Sequence, residues 1–169
     1  MEKYTLEKVT PEEVACCGQI LESGRQFQRA QGFQQWTDNY PNAQDVAEDC
    51  RLGRGYTLKV DGQIAGYMCI DFEGEPAYDC IDGAWRREGP YAAVHRIAIG
   101  GEFRGRGLAE VAFRWIGELC LSRGVAIIRI DTHFPNTRMQ HVLERSGFVK
   151  CGIVTYKPTV TRLAYEKLL

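Results

Sequence analysis

Residues 94–119 read VHRIAIGGEFRGRGLAEVAFRWIGEL. Val94 to Ile99 is a short apolar run, which predicts a strand. Leu108, Val111, Ala112, Trp115, Ile116 and Leu119 then recur at helical spacing and form one broad apolar stripe. Arg104-Gly105-Arg106-Gly107-Leu108-Ala109 lies between the two. Arg123 and Gly124 supply a helix stop. The apolar, β-branched run Ala126 to Asp131 is a second strand. A strand-helix-strand unit of this kind is a right-handed parallel crossover, which places the chain in the α/β class.

Working outward, residues 3–9 read as a first strand. Thr10-Pro11-Glu12-Glu13 is a capping box with Pro at the first helical position, so a helix runs from about Pro11 to Ala30. An aromatic-rich loop, Phe33 to Pro41, follows. Asn42 can cap a helix over about 43–52, with Gly53 as its stop. Tyr56 to Val60, Asp61-Gly62 and Gln63 to Phe72 make a hairpin with a tight two-residue turn. Downstream, Thr137 and Gln140 fit a capping box for a helix over 137–146. Strands over 148–156 and 161–168 complete the order β-α-α-β-β-β-α-β-α-β-β. No repeat or linker interrupts it. The expectation is one α/β domain over 1–169 on a mixed sheet flanked by helices.

The 169 residues are 44% hydrophobic and 25% charged, an ordinary globular balance that excludes disordered, collagen-like and coiled-coil chains. Lys+Arg is 21 against Asp+Glu 22, so the basic excess of a nucleic-acid binder is missing. No apolar run approaches the ~18 residues of a membrane span. Met1-Glu2-Lys3-Tyr4 lacks an apolar signal core. The 7 cysteines form no CxxC, which argues for reduced structural thiols and against a metal site. A cytoplasmic protein, monomeric or homodimeric, is expected.

The chemistry concentrates at residues 104–109. The first N–H groups of a helix lack intrahelical partners, and the helix dipole adds positive character. Glycines let the backbone approach a bulky anion, and a phosphate or pyrophosphate is the natural guest. A dinucleotide-binding GxGxxG is excluded, because Glu110 occupies its last position and the unit comes late in the chain. A P-loop is excluded because no Gly-Lys-Ser/Thr exists.

At these residues the sequence resembles the GCN5-related N-acetyltransferase (GNAT) superfamily. Arg104, Gly107 and Ala109 match its acetyl-CoA loop, [RQ]xxGx[GA]. The strand His95 to Ile99 and the pattern of Asn136 followed by Gly147-Phe148 fit as well. The resemblance covers residues 94–157 and implies an acyl-CoA N-acyltransferase fold with a splayed mixed sheet. It implies acetyl-CoA as cosubstrate. The pantetheine arm would lie on backbone groups of Ile97, Ala98 and Ile99, and the diphosphate on the amides of Arg104, Gly105, Arg106, Gly107, Leu108 and Ala109. Asn136 would either bond the arm or cap the helix after it. A Tyr common ahead of the Gly-Phe pair is replaced here by Leu143, so that general acid is missing.

Direct acetyl transfer to a primary amine, on a small molecule or a peptide, is therefore expected. Another acyl-CoA, a protein N-terminus as acceptor, or a CoA-binding module without catalysis are the alternatives. Asp71, Glu73, Glu75, Asp79 and Asp82, with no basic residue among them, favour a cationic acceptor. Trp36, Tyr40 and Trp85 are candidate pocket walls. His95, His133 and Glu73 are the candidate bases, His95 first because strand alternation puts it on the side of Ile97 and Ile99.

Overall fold

The computed structural model describes residues 1–169. Strand β1 (Tyr4–Lys8) leads through a 3-10 turn (Pro11–Glu13) into α1 (Val14–Ala30) and then α2 (Ala43–Arg51). The hairpin β2 (Gly55–Val60) and β3 (Gln63–Asp71) follows. A 3-10 turn (Pro76–Cys80), β4 (Asp82–Gly83) and β5 (Ala92–Ile99) come next. After a third 3-10 turn (Gly101–Phe103), α3 (Leu108–Ser122), β6 (Ile127–Thr132), α4 (Thr137–Arg145), β7 (Val149–Lys157) and β8 (Val160–Leu168) complete the chain. The strands form one mixed sheet in the order β1-β2-β3-β5-β6-β8-β7-β4. No helix is long and apolar enough to cross a membrane.

Two compact units divide the chain, Met1–Ile70 with His95–Trp115 and Asp71–Val94 with Ile116–Leu169. In the first, local sequence signals act as expected. The Thr10 N–H donates to Glu13 Oε1 at 3.0 Å. The Asn42 side chain accepts from the N–H groups of Gln44 and Asp45 and caps α2. Asp61 and Gly62 take φ angles of 49° and 83°, which turn β2 back onto β3 with Val60 opposite Gln63. The apolar faces of α1 and α2 bury Cys17, Ile20, Leu21 and Val46 against Val9 and Tyr67. Each such side chain contributes roughly 1.5–3 kcal/mol on burial.

In the second unit β5 and β6 pair in parallel, with Ala92 opposite Ile128 and Ala93 opposite Arg129. The whole of β6 pairs antiparallel with β8, and β8 with β7. Two features depart from the sequence reading. The helix over 137–146 is capped by Asn136, whose side chain accepts from the Met139 N–H at 3.1 Å. Asn is a better cap than Thr, and Gln140 is drawn instead to the Phe134 carbonyl at 2.7 Å, so no Thr137–Gln140 box forms. The acidic stretch also contains β4, which pairs with Gly152 and Ile153 at the sheet edge. A two-residue strand carries no periodicity to read. Here Gly83 and Gly152 cross so closely that a Cβ on either would collide with a carbonyl, of Cys151 or Asp82 respectively.

Candidate functional site

In the first unit, β5 ends where the Gly100 N–H donates to the Ala65 carbonyl at 2.7 Å. The following 3-10 turn buries Phe103. Arg104 then folds back on α1. Its guanidinium donates to Ser23 Oγ at 2.9 Å and stacks 4.1 Å from the Phe27 ring. That anchor fixes the loop's start and commits the Arg104 side chain to the protein. Gly105 and Gly107 both have positive φ, 78° and 71°, and a Cβ at either would meet nothing within 4 Å. The backbone there is therefore exposed and shaped by conformation alone. Arg106 pairs with Glu2 beside Phe103. Leu108 is buried and starts α3, whose first-turn N–H groups have no acceptor within the helix. The sum is a short exposed backbone run with two left-handed glycines ahead of a helix N-terminus, where unpaired N–H groups favour an anion.

The strand ahead of the loop differs from expectation. Arg96 has φ 53°. A left-handed residue disturbs the two-residue alternation on which the sequence argument for His95 rests. Ala98 packs in the core with Trp36, and Ile97 is buried. Ile99 is half-buried.

The second unit holds a polar cluster that the sequence reading does not contain. Asp131, near the end of β6, is half-buried. Its Oδ2 accepts from Tyr78 Oη at 2.7 Å and also from Tyr156 Oη. Tyr78 is buried and Tyr156 is exposed. Desolvation of the hydroxyl ends, together with the Asp131 charge, raises both phenols above their ordinary range although the Tyr156 side chain as a whole is partly exposed, so both stay protonated and keep donating. Asp131 forms no ion pair with any Lys or Arg of the chain. Glu75 lies close enough to raise Tyr156 further, and Tyr91 Oη accepts from the Glu75 N–H at 2.9 Å. The cluster thus offers a carboxylate and phenolic lone pairs but no free proton donor. Such an array can accept hydrogen bonds from N–H donors.

A buried ion pair supports this cluster. Arg129 Nε donates to Glu166 Oε2 at 3.0 Å, and its guanidinium lies 4.3 Å from the rings of both Trp85 and Tyr91. Trp85 Nε1 donates to the Tyr78 carbonyl at 2.8 Å, with its ring 5.3 Å from that of Tyr78. Glu166 also accepts from the Arg86 N–H at 2.9 Å. Trp85, half-buried, thus holds Tyr78 in place.

The remaining candidates are placed as follows. Trp36 packs on Gly24, where a Cβ would come within 2.8 Å of its ring. Tyr40 is exposed and accepts from Arg96 Nη1 at 3.0 Å. His95 and His133 are half-buried, one in β5 and one directly after β6. Burial, aided by Arg162, lowers the His133 imidazole below 6.5 and keeps it neutral at pH 7. Glu73 is exposed, and its N–H donates to Asp71 Oδ1. Leu143 is fully buried and is a core residue. Burial pushes the thiol of Cys120 up to about 11 and that of Cys17 to about 12, which removes both as nucleophiles at neutral pH.

A family model described as the acetyltransferase (GNAT) family matches residues 21–148. The crystal structure of a GNAT-family acetyltransferase from Streptococcus agalactiae is similar at 33% identity and a TM-score of 0.88, over 98% of this chain and 95% of that one. One from Listeria monocytogenes is similar at 20% identity and a TM-score of 0.76, over 98% and 95%. The aminoglycoside acetyltransferase AAC(6')-Ib, in complex with coenzyme A and kanamycin, is similar in fold at 19% identity and a TM-score of 0.71, over 98% and 95%. No curated protein sequence matches the chain.

Proposed function

The chain belongs to the GNAT acetyltransferase family, and from that premise we propose that it transfers the acetyl group of acetyl-CoA directly to a cationic primary amine. The diphosphate of acetyl-CoA would lie on the amides of residues 104–109, and the pantetheine arm on the backbone of Ile97 to Ile99. The open space at Gly105 and Gly107 supports that fit. The observation that carries the acceptor class is Asp131, a half-buried carboxylate oriented by two phenols and paired with no cation of its own. An acceptor ammonium would supply the missing charge, with Tyr156 accepting a further N–H. The complex of AAC(6')-Ib with kanamycin fits this reading, since an aminoglycoside carries several amines.

Chemically, the neutral amine nitrogen attacks the thioester carbonyl carbon. Backbone N–H groups near Ile97 and Ile99 would bond the carbonyl oxygen as it gains charge. The C–S bond breaks, and the CoA thiolate takes a proton from solvent, since a thiol pKa of ~8.5 makes it a tolerable leaving group. An alkylammonium has a pKa near ~10, so it must first lose a proton to a base. His133, held neutral at pH 7, is the base of choice over exposed Glu73. The sign follows from its lowered pKa. The proton-accepting form persists to a more acidic pH than in a free imidazole. The acid limb of kcat/KM is therefore expected below pH 6.5, and His133→Gln is expected to remove that limb and lower kcat/KM roughly a hundredfold.

The test is a panel of polyamines, aminoglycosides, amino acids and peptides, followed by release of CoA thiol. Cationic amines are expected to be the best acceptors. Their kcat/KM is expected to fall with added salt, because charge attraction is screened over ~8–10 Å. A panel in which only acidic or neutral amines react would overturn the acceptor class. Turnover with longer acyl-CoA and not acetyl-CoA would overturn the donor.

A further inference from the structure

Arg96 occupies the middle of β5 in a left-handed conformation, φ 53°. A non-glycine residue keeps such strain only where its surroundings over-determine it. Here Asp49 of α2, 1% exposed, accepts from Arg96 Nε at 3.0 Å and Nη2 at 2.7 Å. The same carboxylate accepts from Arg54 Nε at 2.8 Å and from the Tyr67 hydroxyl. Burial alone would raise the Asp49 carboxyl, but these donors outweigh it and hold it below its ordinary value. The third arm of the guanidinium, Nη1, donates to the Tyr40 hydroxyl at 3.0 Å. Helix α2, strand β3 and the loop ahead of α2 thus all hold one side chain.

A left-handed residue inside a strand changes the direction of the chain locally, so the amides that follow it are turned from the regular strand directions. The next amides belong to Ile97 and Ala98. We propose that Arg96 is a positioning residue for acetyl transfer. Its side chain, locked by Asp49 and Tyr40, holds the backbone turn that aims the Ile97 and Ala98 amides at the acetyl thioester. The inference rests on the acetyl-CoA reading above. It also gives Tyr40 a different part from the pocket wall expected of it. Tyr40 ties the Phe33 to Pro41 loop to Arg96, so order in that loop supports the geometry of the thioester site.

Glycine and alanine at position 96 separate the backbone from the charge. Both remove the guanidinium, and both leave Asp49 with Arg54 and Tyr67. Glycine adopts φ 53° freely, whereas alanine resists it. Arg96→Gly is expected to keep kcat within about threefold of the unmodified enzyme, and Arg96→Ala to lose it roughly tenfold or more, as small misplacements of reacting groups do. CoA affinity, read by calorimetry, is expected to hold in Arg96→Gly and to weaken in Arg96→Ala, where the backbone that carries the pantetheine arm shifts. Amide NMR shifts of Ile97 and Ala98 are expected to stay in place in Arg96→Gly and to move in Arg96→Ala. Tyr40→Phe, which keeps the ring, is expected to lower kcat severalfold in the native background and to add nothing to Arg96→Gly. Equal losses of kcat in the Gly and Ala variants, or unmoved amides in the Ala variant, would overturn the proposal. If the unmodified protein acetylates no amine, the acetyl-CoA reading fails, and the amide shifts still decide the clamp.

Discussion

Asp131→Asn is expected to lower kcat/KM for a cationic acceptor about a hundredfold, with CoA affinity unchanged. The substitution is nearly isosteric. Its carboxamide oxygen still accepts from Tyr78 and Tyr156, so the scaffold of the cluster survives. What it loses is the charge. Losing one partner of a partly desolvated ion pair costs ~2–5 kcal/mol, and a hundredfold loss corresponds to ~2.7 kcal/mol. Salt provides an internal control. The native enzyme is expected to lose activity as salt rises, and the variant to be nearly insensitive. Steady-state kinetics at two ionic strengths with one polyamine is sufficient. An unchanged kcat/KM in Asp131→Asn would remove the carboxylate from acceptor recognition.

Gly107→Val is the second large effect. Gly107 has φ 71°, and the space beyond its Cα is empty of protein atoms. A valine there would collide with nothing in the chain but would resist the left-handed backbone and occupy the approach of the diphosphate. Strain of this kind costs ~1–3 kcal/mol of stability. Loss of the phosphate cradle is expected to raise the Kd for CoA on the order of a hundredfold, ~2.7 kcal/mol. Gly107→Ala carries the same backbone penalty with less obstruction and is expected to fall between the two. Calorimetry on the folded variants separates the effects. Native CoA affinity in folded Gly107→Val would move the diphosphate to another place.

The parts of the fold legible in the sequence are those that local chemistry dictates. Asp61-Gly62 encodes its own turn, Asn42 its own cap, and the stripe from Leu108 to Leu119 its own helix. The glycine loop is legible for the same reason, because positive φ angles at Gly105 and Gly107 are a property of short sequence. Asp131 is different. Its partners stand 53 and 25 positions away; the pairing of β6, β8 and β7 brings Tyr156 to it, and the 3-10 turn Pro76–Cys80 brings Tyr78. An aspartate ending an apolar strand is the single local sign, and it is a weak one. Arg96 carries no local sign, since arginine is at ease in extended strand, and the left-handed turn is imposed by a carboxylate on another helix. For Trp36 and Trp85 the sequence does not show what the rings pack on, because loop-like segments carry no periodicity. One folds back on Gly24, and the other stacks on Arg129.

The central proposal is acetyl transfer from acetyl-CoA to a cationic amine. Its most direct measurement is mass spectrometry of a polyamine acceptor alongside titration of released CoA thiol. The expected result is one N-acetyl group on the acceptor for each thiol released, with no acetyl group retained on the protein. Thiol release without acetylated amine, or a protein-bound acetyl group that accumulates before product, would contradict it.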